Sequence, residues 1–172
     1  MSQNKNGIFV QIDYWLLDNV FQPITNRLPG EKSNLRLGMN LMLGSVIFSF
    51  AFLLMPLFFF DIGFFSSTYN LLSCVMVICF YMYVHRNQSL VREGFVNPLR
   101  YFLSGIRIIS IPFTLYGIYV WMTSVGMMGR FTMLYSISNI LSVCGLYFIS
   151  CNVNPPKKKE EQKIVFAENP FS

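Results

Sequence analysis

Long apolar runs with brief polar interruptions dominate the chain. The first extends from about Met39 to Phe60, and no charged residue falls between Arg36 and Asp61. The second extends from about Gly63 to Val84. The third begins between Tyr101 and Ile108 and ends near Met128, with its apolar stretch over 102–126, and the fourth covers 131–151. About 20 mostly apolar residues in a helix cross roughly 30 Å of hydrocarbon, and all four runs reach that length. The pattern therefore predicts an all-α membrane protein with four transmembrane helices. A buried helix of a water-soluble protein would need amphipathic neighbours to cover it, and residues 37–152 supply none.

The connections predict how the spans pair. Asp61-Ile62 and Gly129-Arg130 leave room only for tight turns, so the spans form two antiparallel hairpins. A middle loop from His85 to about Leu99 separates them. Residues 8–22, IFVQIDYWLLDNVFQ, are too polar to cross. As a helix they carry a polar stripe of Gln11, Asp18 and Gln22 on a mostly apolar surface, with Asp13 outside the stripe. This predicts an in-plane amphipathic helix at the interface. Such helices usually carry basic polar faces, whereas this one has two aspartates. Asp13, Trp15 and Asp18 are therefore candidates for docking on the protein itself or on a partner. Pro23 and Pro29-Gly30 are expected to end this helix, and Ser33 or Asn34 to cap the first span.

Charge supplies the orientation. Lys5, Arg27, Lys32 and Arg36 precede the first span, and Arg86, Arg92, Arg100 and Arg107 lie in or beside the middle loop. Lys157, Lys158, Lys159 and Lys163 follow the fourth span, and Arg130 alone falls on the other side. Basic residues mark the cytoplasmic face, so both termini are expected there, with a bacterial inner membrane favoured over a eukaryotic endomembrane. The net charge of +5 is then an orientation signal, and nucleic-acid binding is not expected. Hydrophobic residues make up 53% and charged residues 12%, too few charges to coat a water-facing surface. The domain plan is a cytoplasmic segment over 1–36, a membrane domain over 37–152 and a disordered cytoplasmic tail over 153–172. The tail opens with Asn154-Pro155-Pro156, carries KKKEEQK, and ends in Asn169-Pro170-Phe171, a match to a short peptide read by endocytic adaptors. No cleavable signal peptide is expected after the polar opening MSQNKNG.

Polar residues inside spans are the remaining candidates for function. Ser66, Asn70 and Cys74 recur every four residues on the second span, and Ser138, Asn139 and Ser142 gather on the fourth. Such faces let helices approach and exchange hydrogen bonds, or line a solute path. Arg107 is the strongest of these suspects and an interface candidate with Asp13, Trp15 and Asp18. It is expected to snorkel, its stem in lipid and its guanidinium among the headgroups. Pro112 and Gly117 make the third span a candidate for a bend. Asp61 is placed in the outer turn. Cys74, Cys79, Cys144 and Cys151 are expected to be free thiols, Cys151 being either inert or a palmitoylation site.

Catalytic chemistry finds no support. His85 is the only histidine, no carboxylates cluster, and no phosphate-binding loop is present. No enzyme activity, metal or cofactor is expected. The sequon Asn87-Gln88-Ser89 is expected to stay unmodified on the cytoplasmic side. The chain lacks the outer-loop cysteines of tetraspanins and claudins. The favoured function is a non-catalytic subunit or accessory of a larger membrane assembly, such as a secretion, conjugation or other envelope complex. Its partners would be the lipid bilayer and other membrane subunits, with a homo-oligomer as a further possibility. The alternatives are a small oligomeric transporter or channel, and a trafficking or membrane-shaping protein.

Overall fold

The computed structural model describes residues 7–29, 32–59 and 63–153, and every regular element among them is helical. Helix α1 (Ile8–Leu16) passes through a π-helical turn, Leu17–Phe21, into α2 (Gln22–Asn26). Four longer helices follow as α3 (Ser33–Phe59), α4 (Phe64–Asn87), α6 (Ser104–Thr123) and α7 (Gly126–Ser150). The short α5 (Pro98–Phe102) precedes α6. All four long helices are long and apolar enough to cross a membrane, with mean hydropathies of 2.3, 1.5, 1.3 and 1.5 in chain order. These are the helices of a multi-pass membrane protein.

Helix α7 is the central element. Of its apolar stretch 39% is buried, against 11% in each of the other three, and it packs most extensively on α3 and then on α6. Glycines make this close approach possible. A Cβ on Gly38 would lie 2.6 Å from Ile149 Cγ1 and 2.9 Å from the Gly145 carbonyl oxygen. A Cβ on Gly145 would lie 2.7 Å from Met42 Cγ. Small residues at such a crossing let backbones meet where no hydrophobic drive exists between helices in lipid. Further along the two helices, Ser45 and Ser49 of α3 meet Ser138 of α7, and Phe52 meets Tyr135. The contacts thus advance along α3 as they retreat along α7. Helix α4 packs chiefly on α3.

The core gathers where α7 ends. Leu35, Met39, Met42, Val84, Leu99, Leu103, Leu146 and Ile149 form one buried cluster. Val153, placed by the sequence at the start of the tail, joins this cluster at 4% exposure, and its carbonyl accepts from the Gly94 amide at 3.2 Å. A second cluster joins Leu17, Tyr147 and Cys151, with the Phe21 ring stacked on Tyr147 at 4.6 Å between centroids.

Several expected boundaries fall elsewhere. Pro23 does not end the N-terminal helix. In the π turn before it the Gln22 amide bonds to Leu17 five residues back, and Pro23 begins the next helical stretch, where a missing donor costs little. The break between the last two long helices is at Ser124-Val125, not Gly129-Arg130. Gly126 supplies the turn with φ 68, a left-handed conformation that glycine adopts without a side-chain clash. Gly129 instead sits inside α7, where its absent side chain leaves room for the Ser124 carbonyl. Asn34 does not cap α3: it is buried, and its amide donates to the Cys151 carbonyl of the chain leaving α7, at 3.2 Å. The expected turn at Asp61-Ile62 and the tail from Asn154 onward, including Asn169-Pro170-Phe171, lie outside the described residues.

Candidate functional site

The most concentrated polar chemistry is a buried ion pair joining the N-terminal helix to α6. Asp13 on α1 and Arg107 on α6 are both at 0% exposure. Arg107 grips both carboxylate oxygens, Nε to Oδ1 at 2.9 Å and Nη2 to Oδ2 at 2.7 Å. This side-by-side geometry is the strongest way an arginine meets a carboxylate. The remaining valences are also used. Arg107 Nη1 donates to Ser150 Oγ at 2.7 Å and to the Arg100 carbonyl at 3.0 Å. Tyr147 donates its hydroxyl to Asp13 Oδ1 at 2.8 Å, and its ring lies under the guanidinium at 5.4 Å. Ser150 in turn donates to the Leu146 carbonyl at 2.7 Å, leaving its oxygen free to accept from Arg107.

Arg107 therefore does not snorkel. Its carboxylate partner lies within the protein, and full hydrogen bonding holds the guanidinium there. The position of Asp13 off the polar stripe of its helix has the same cause: it faces inward while Asp18 faces out. Asp18 makes a second, partly exposed bridge to Arg100 at 2.6 Å, and Arg100 also lies over the Tyr14 ring at 5.5 Å. Both aspartates of this helix thus bind arginines of α5 and α6. Trp15 is 59% exposed and belongs to the outer face with Ile8, Phe9 and Ile12.

Amide side chains complete the same region. A helix ends with carbonyls that lack partners in the helix itself, and the end of α7 is deeply enclosed. Asn97 donates to the Ile149 and Cys151 carbonyls at 2.6 and 2.8 Å, and its Oδ1 caps α5 by accepting from the Leu99 amide at 2.9 Å. Gln22 and Asn152 exchange a reciprocal pair of bonds at 3.1 and 2.9 Å. Cys151 is fully buried, and its thiol lies 3.3 Å from the Tyr147 carbonyl. None of Asn97, Tyr147 or Asn152 stands out in the sequence, since each reads as an ordinary loop or interfacial residue. The one available signal for Asn97 is the Asn-Pro that opens α5, a capping pattern.

The other expected faces separate. Ser138 meets Ser49 at 2.6 Å and Ser45 at 3.2 Å, and its hydroxyl lies 3.0 Å from the Ser45 carbonyl, all on α3. Ser138 was the legible half of this contact; its partners Ser45 and Ser49, four residues apart on α3, were not singled out in the sequence. Asn139 and Ser142 share with these three serines the lining of a groove of about 320 Å³ between α3, α4 and α7. The Asn139 side-chain nitrogen is buried without a hydrogen-bond partner, and Gly117 of α6 leaves room for it. On α4, Cys74 is buried, Asn70 is half-buried and Ser66 is exposed. The structure thus brings Ser138, Asn139 and Ser142 together with α3, and does not bring Ser66 or Asn70 to them.

Among the described residues no group of His, Cys, Asp or Glu side chains is placed to hold a metal ion. Comparison of the chain with protein-family models, curated proteins and solved structures finds no match, so its own residues carry the functional argument. What the Asp13–Arg107 site does chemically is hold. Both charges are saturated and out of solvent.

Proposed function

We propose that the chain is a non-catalytic integral membrane subunit of a larger membrane assembly, such as a secretion, conjugation or other envelope complex. In this reading it crosses the bilayer as two hairpins, α3 with α4 and α6 with α7. Both termini face the cytoplasm, with a bacterial inner membrane favoured. The observation that carries it is the state of α4. This helix packs chiefly on α3, and among the described residues the side chains of Ser66 and Asn70 make no hydrogen bond. A polar amide in a spanning helix is expected to find a partner across a helix interface, and a neighbouring subunit supplies one. The N-terminal helix supports the same reading. With Asp13 anchored inward, Ile8, Ile12 and Trp15 form an outward apolar stripe fitted to the interface or to a partner.

Purification in mild detergent tests the proposal. A stable stoichiometric partner or homo-oligomer is expected, and an isolated monomer with nothing co-purifying would sink it. Orientation has its own test at Asn87 of the sequon. No glycosylation is expected there in a eukaryotic host, and its appearance would reverse the topology.

A second reading, a small oligomeric transporter or channel, draws on the serine-lined groove. Solute flux in liposomes that is lost on Asn139→Ala would favour it over the first.

A further inference from the structure

At the junction of two spanning helices, the start of α3 and the end of α4 enclose an open cavity of about 480 Å³. Its polar wall contains Lys32, Arg36 and Asn40 from one side and His85, Gln88 and Ser89 from the other. Among the described residues no acidic residue lines it, and neither Lys32 nor Arg36 takes part in a salt bridge. This contrasts with Arg100 and Arg107, each of which holds an aspartate. Gln88 adds an independent observation. Its side-chain nitrogen is shielded from solvent and has no hydrogen-bond partner, a state that costs free energy unless an acceptor arrives. Two cations, an imidazole and a spare amide donor line one space, while the Ser89 hydroxyl already donates to the Arg86 carbonyl at 3.2 Å. The first four can each donate a hydrogen bond, and an anion with several acceptor oxygens satisfies them together.

We propose that this cavity binds a phosphate group. Arg36 offers its planar fork to two phosphate oxygens, Lys32 adds a mobile point charge, and His85 and Gln88 donate from the α4 side. The cavity lies at the ends of the spanning helices, the level at which phospholipid headgroups sit whichever way the chain is oriented. Basic pockets between membrane helices are suited to such headgroups. A zwitterionic choline headgroup would bring a cation against Lys32 and Arg36, so an anionic phosphatidylglycerol headgroup fits better. This inference does not depend on the subunit reading.

The test uses the full chain, purified and delipidated in a non-ionic detergent. Thermophoresis would measure binding of dioctanoyl phosphatidylglycerol, dioctanoyl phosphatidylcholine and sodium phosphate. Phosphatidylglycerol is expected to bind more tightly than phosphatidylcholine. The double variant Arg36→Gln/His85→Gln is expected to weaken phosphatidylglycerol by about tenfold or more, as befits the loss of a charged hydrogen-bonding group. Arg92→Gln, which removes a charge outside the cavity, should leave binding unchanged. Gln88→Met, close in shape but without the donor, should weaken binding by less than the double variant and guards against a folding defect there. Sodium phosphate that displaces the lipid at equal concentration would assign the site to free phosphate; failure to displace it assigns the lipid. Equal binding by wild type and both cavity variants, or an equal loss in Arg92→Gln, overturns the proposal.

Discussion

Where α7 ends, Leu103, Leu146, Ile149, Cys151, Asp13 and Arg107 all have 0% exposure, whereas near its start Val125 and Phe65 are each 88% exposed. The first region draws on five elements, with α1, the π turn, α3, α5 and α6 all converging on the last turns of α7. The second consists of helix ends whose Phe58, Phe64, Met122 and Met128 side chains point away from the protein. One end of the bundle is joined by polar bonds and tight packing, and the other meets its surroundings mainly through apolar side chains. The difference teaches where each kind of interaction is worth having. Polar bonds exclude alternative arrangements only where no water or lipid headgroup competes for the same groups, and that condition is met only at the enclosed end.

The largest effect is therefore expected from leaving one charge of the enclosed pair alone. Asp13→Ala strands Arg107 and the Tyr147 hydroxyl, and Arg107→Ala strands Asp13. Each is expected to cost about 3–5 kcal/mol, read by reversible unfolding in mixed detergent. The double replacement Asp13→Leu/Arg107→Met removes both charges and should recover most of that loss, because apolar side chains need no compensation. A double variant as unstable as the singles would show that the pair's shape, not its charge, holds the N-terminal helix.

Next comes the α3–α7 crossing. Gly145→Ala places a methyl group within 2.8 Å of the Gly38 carbonyl, which has no flexible side chain to yield. Forced separation of the helices should cost about 1–3 kcal/mol. Gly105, with nothing near its missing Cβ, is the control. Gly105→Ala should be neutral or slightly stabilising, since alanine is the better helix former by about 1 kcal/mol. Equal destabilisation at both sites would remove the argument from close approach.

The exposed counterpart of the enclosed pair should matter less. Arg100 and Asp18 meet at 2.6 Å, but Asp18 keeps 51% side-chain exposure, and solvent competes for its charge. Asp18→Asn is expected to cost no more than about 1 kcal/mol in the same unfolding assay. A cost equal to that of Asp13→Ala would mean that burial does not separate the two bridges.

These differences explain what could be read along the chain. Four long apolar helices were legible because hydropathy is a local property, and each run carries its own signal. Asp13 and Arg107 were visible only as two anomalies, a carboxylate off its stripe and a cation inside a span. Each explains the other, but they stand 94 residues apart, and no local pattern joins them. The misplaced turn has a simpler source. Gly126 and Gly129 are equivalent as sequence signals, and Arg130 drew the turn toward a charge. Only the left-handed backbone at Gly126 separates them. Which helix faces which was also hidden, since α3 and α4 are apolar on all sides and the serines of α3 differ little from the serines of α4.

The smallest effect on stability is expected at Asn70, and it bears most directly on what the looser end is for. Asn70 is half-buried and its side chain makes no hydrogen bond among the described residues, so Asn70→Leu breaks no side-chain hydrogen bond there. The isolated protein should then change by no more than about 0.5 kcal/mol, or gain slightly from a residue better suited to lipid. If α4 presents Asn70 to a neighbouring subunit, that subunit loses its hydrogen-bond partner, worth about 0.6–2 kcal/mol in a membrane. Co-purification in mild detergent should fall by about threefold or more, with monomer stability unchanged. Asn70→Gln, which keeps the amide, should retain more of the partner than Asn70→Leu. Stability lost without any change in co-purification would place Asn70 in a contact inside the monomer and turn the search for a partner face away from α4.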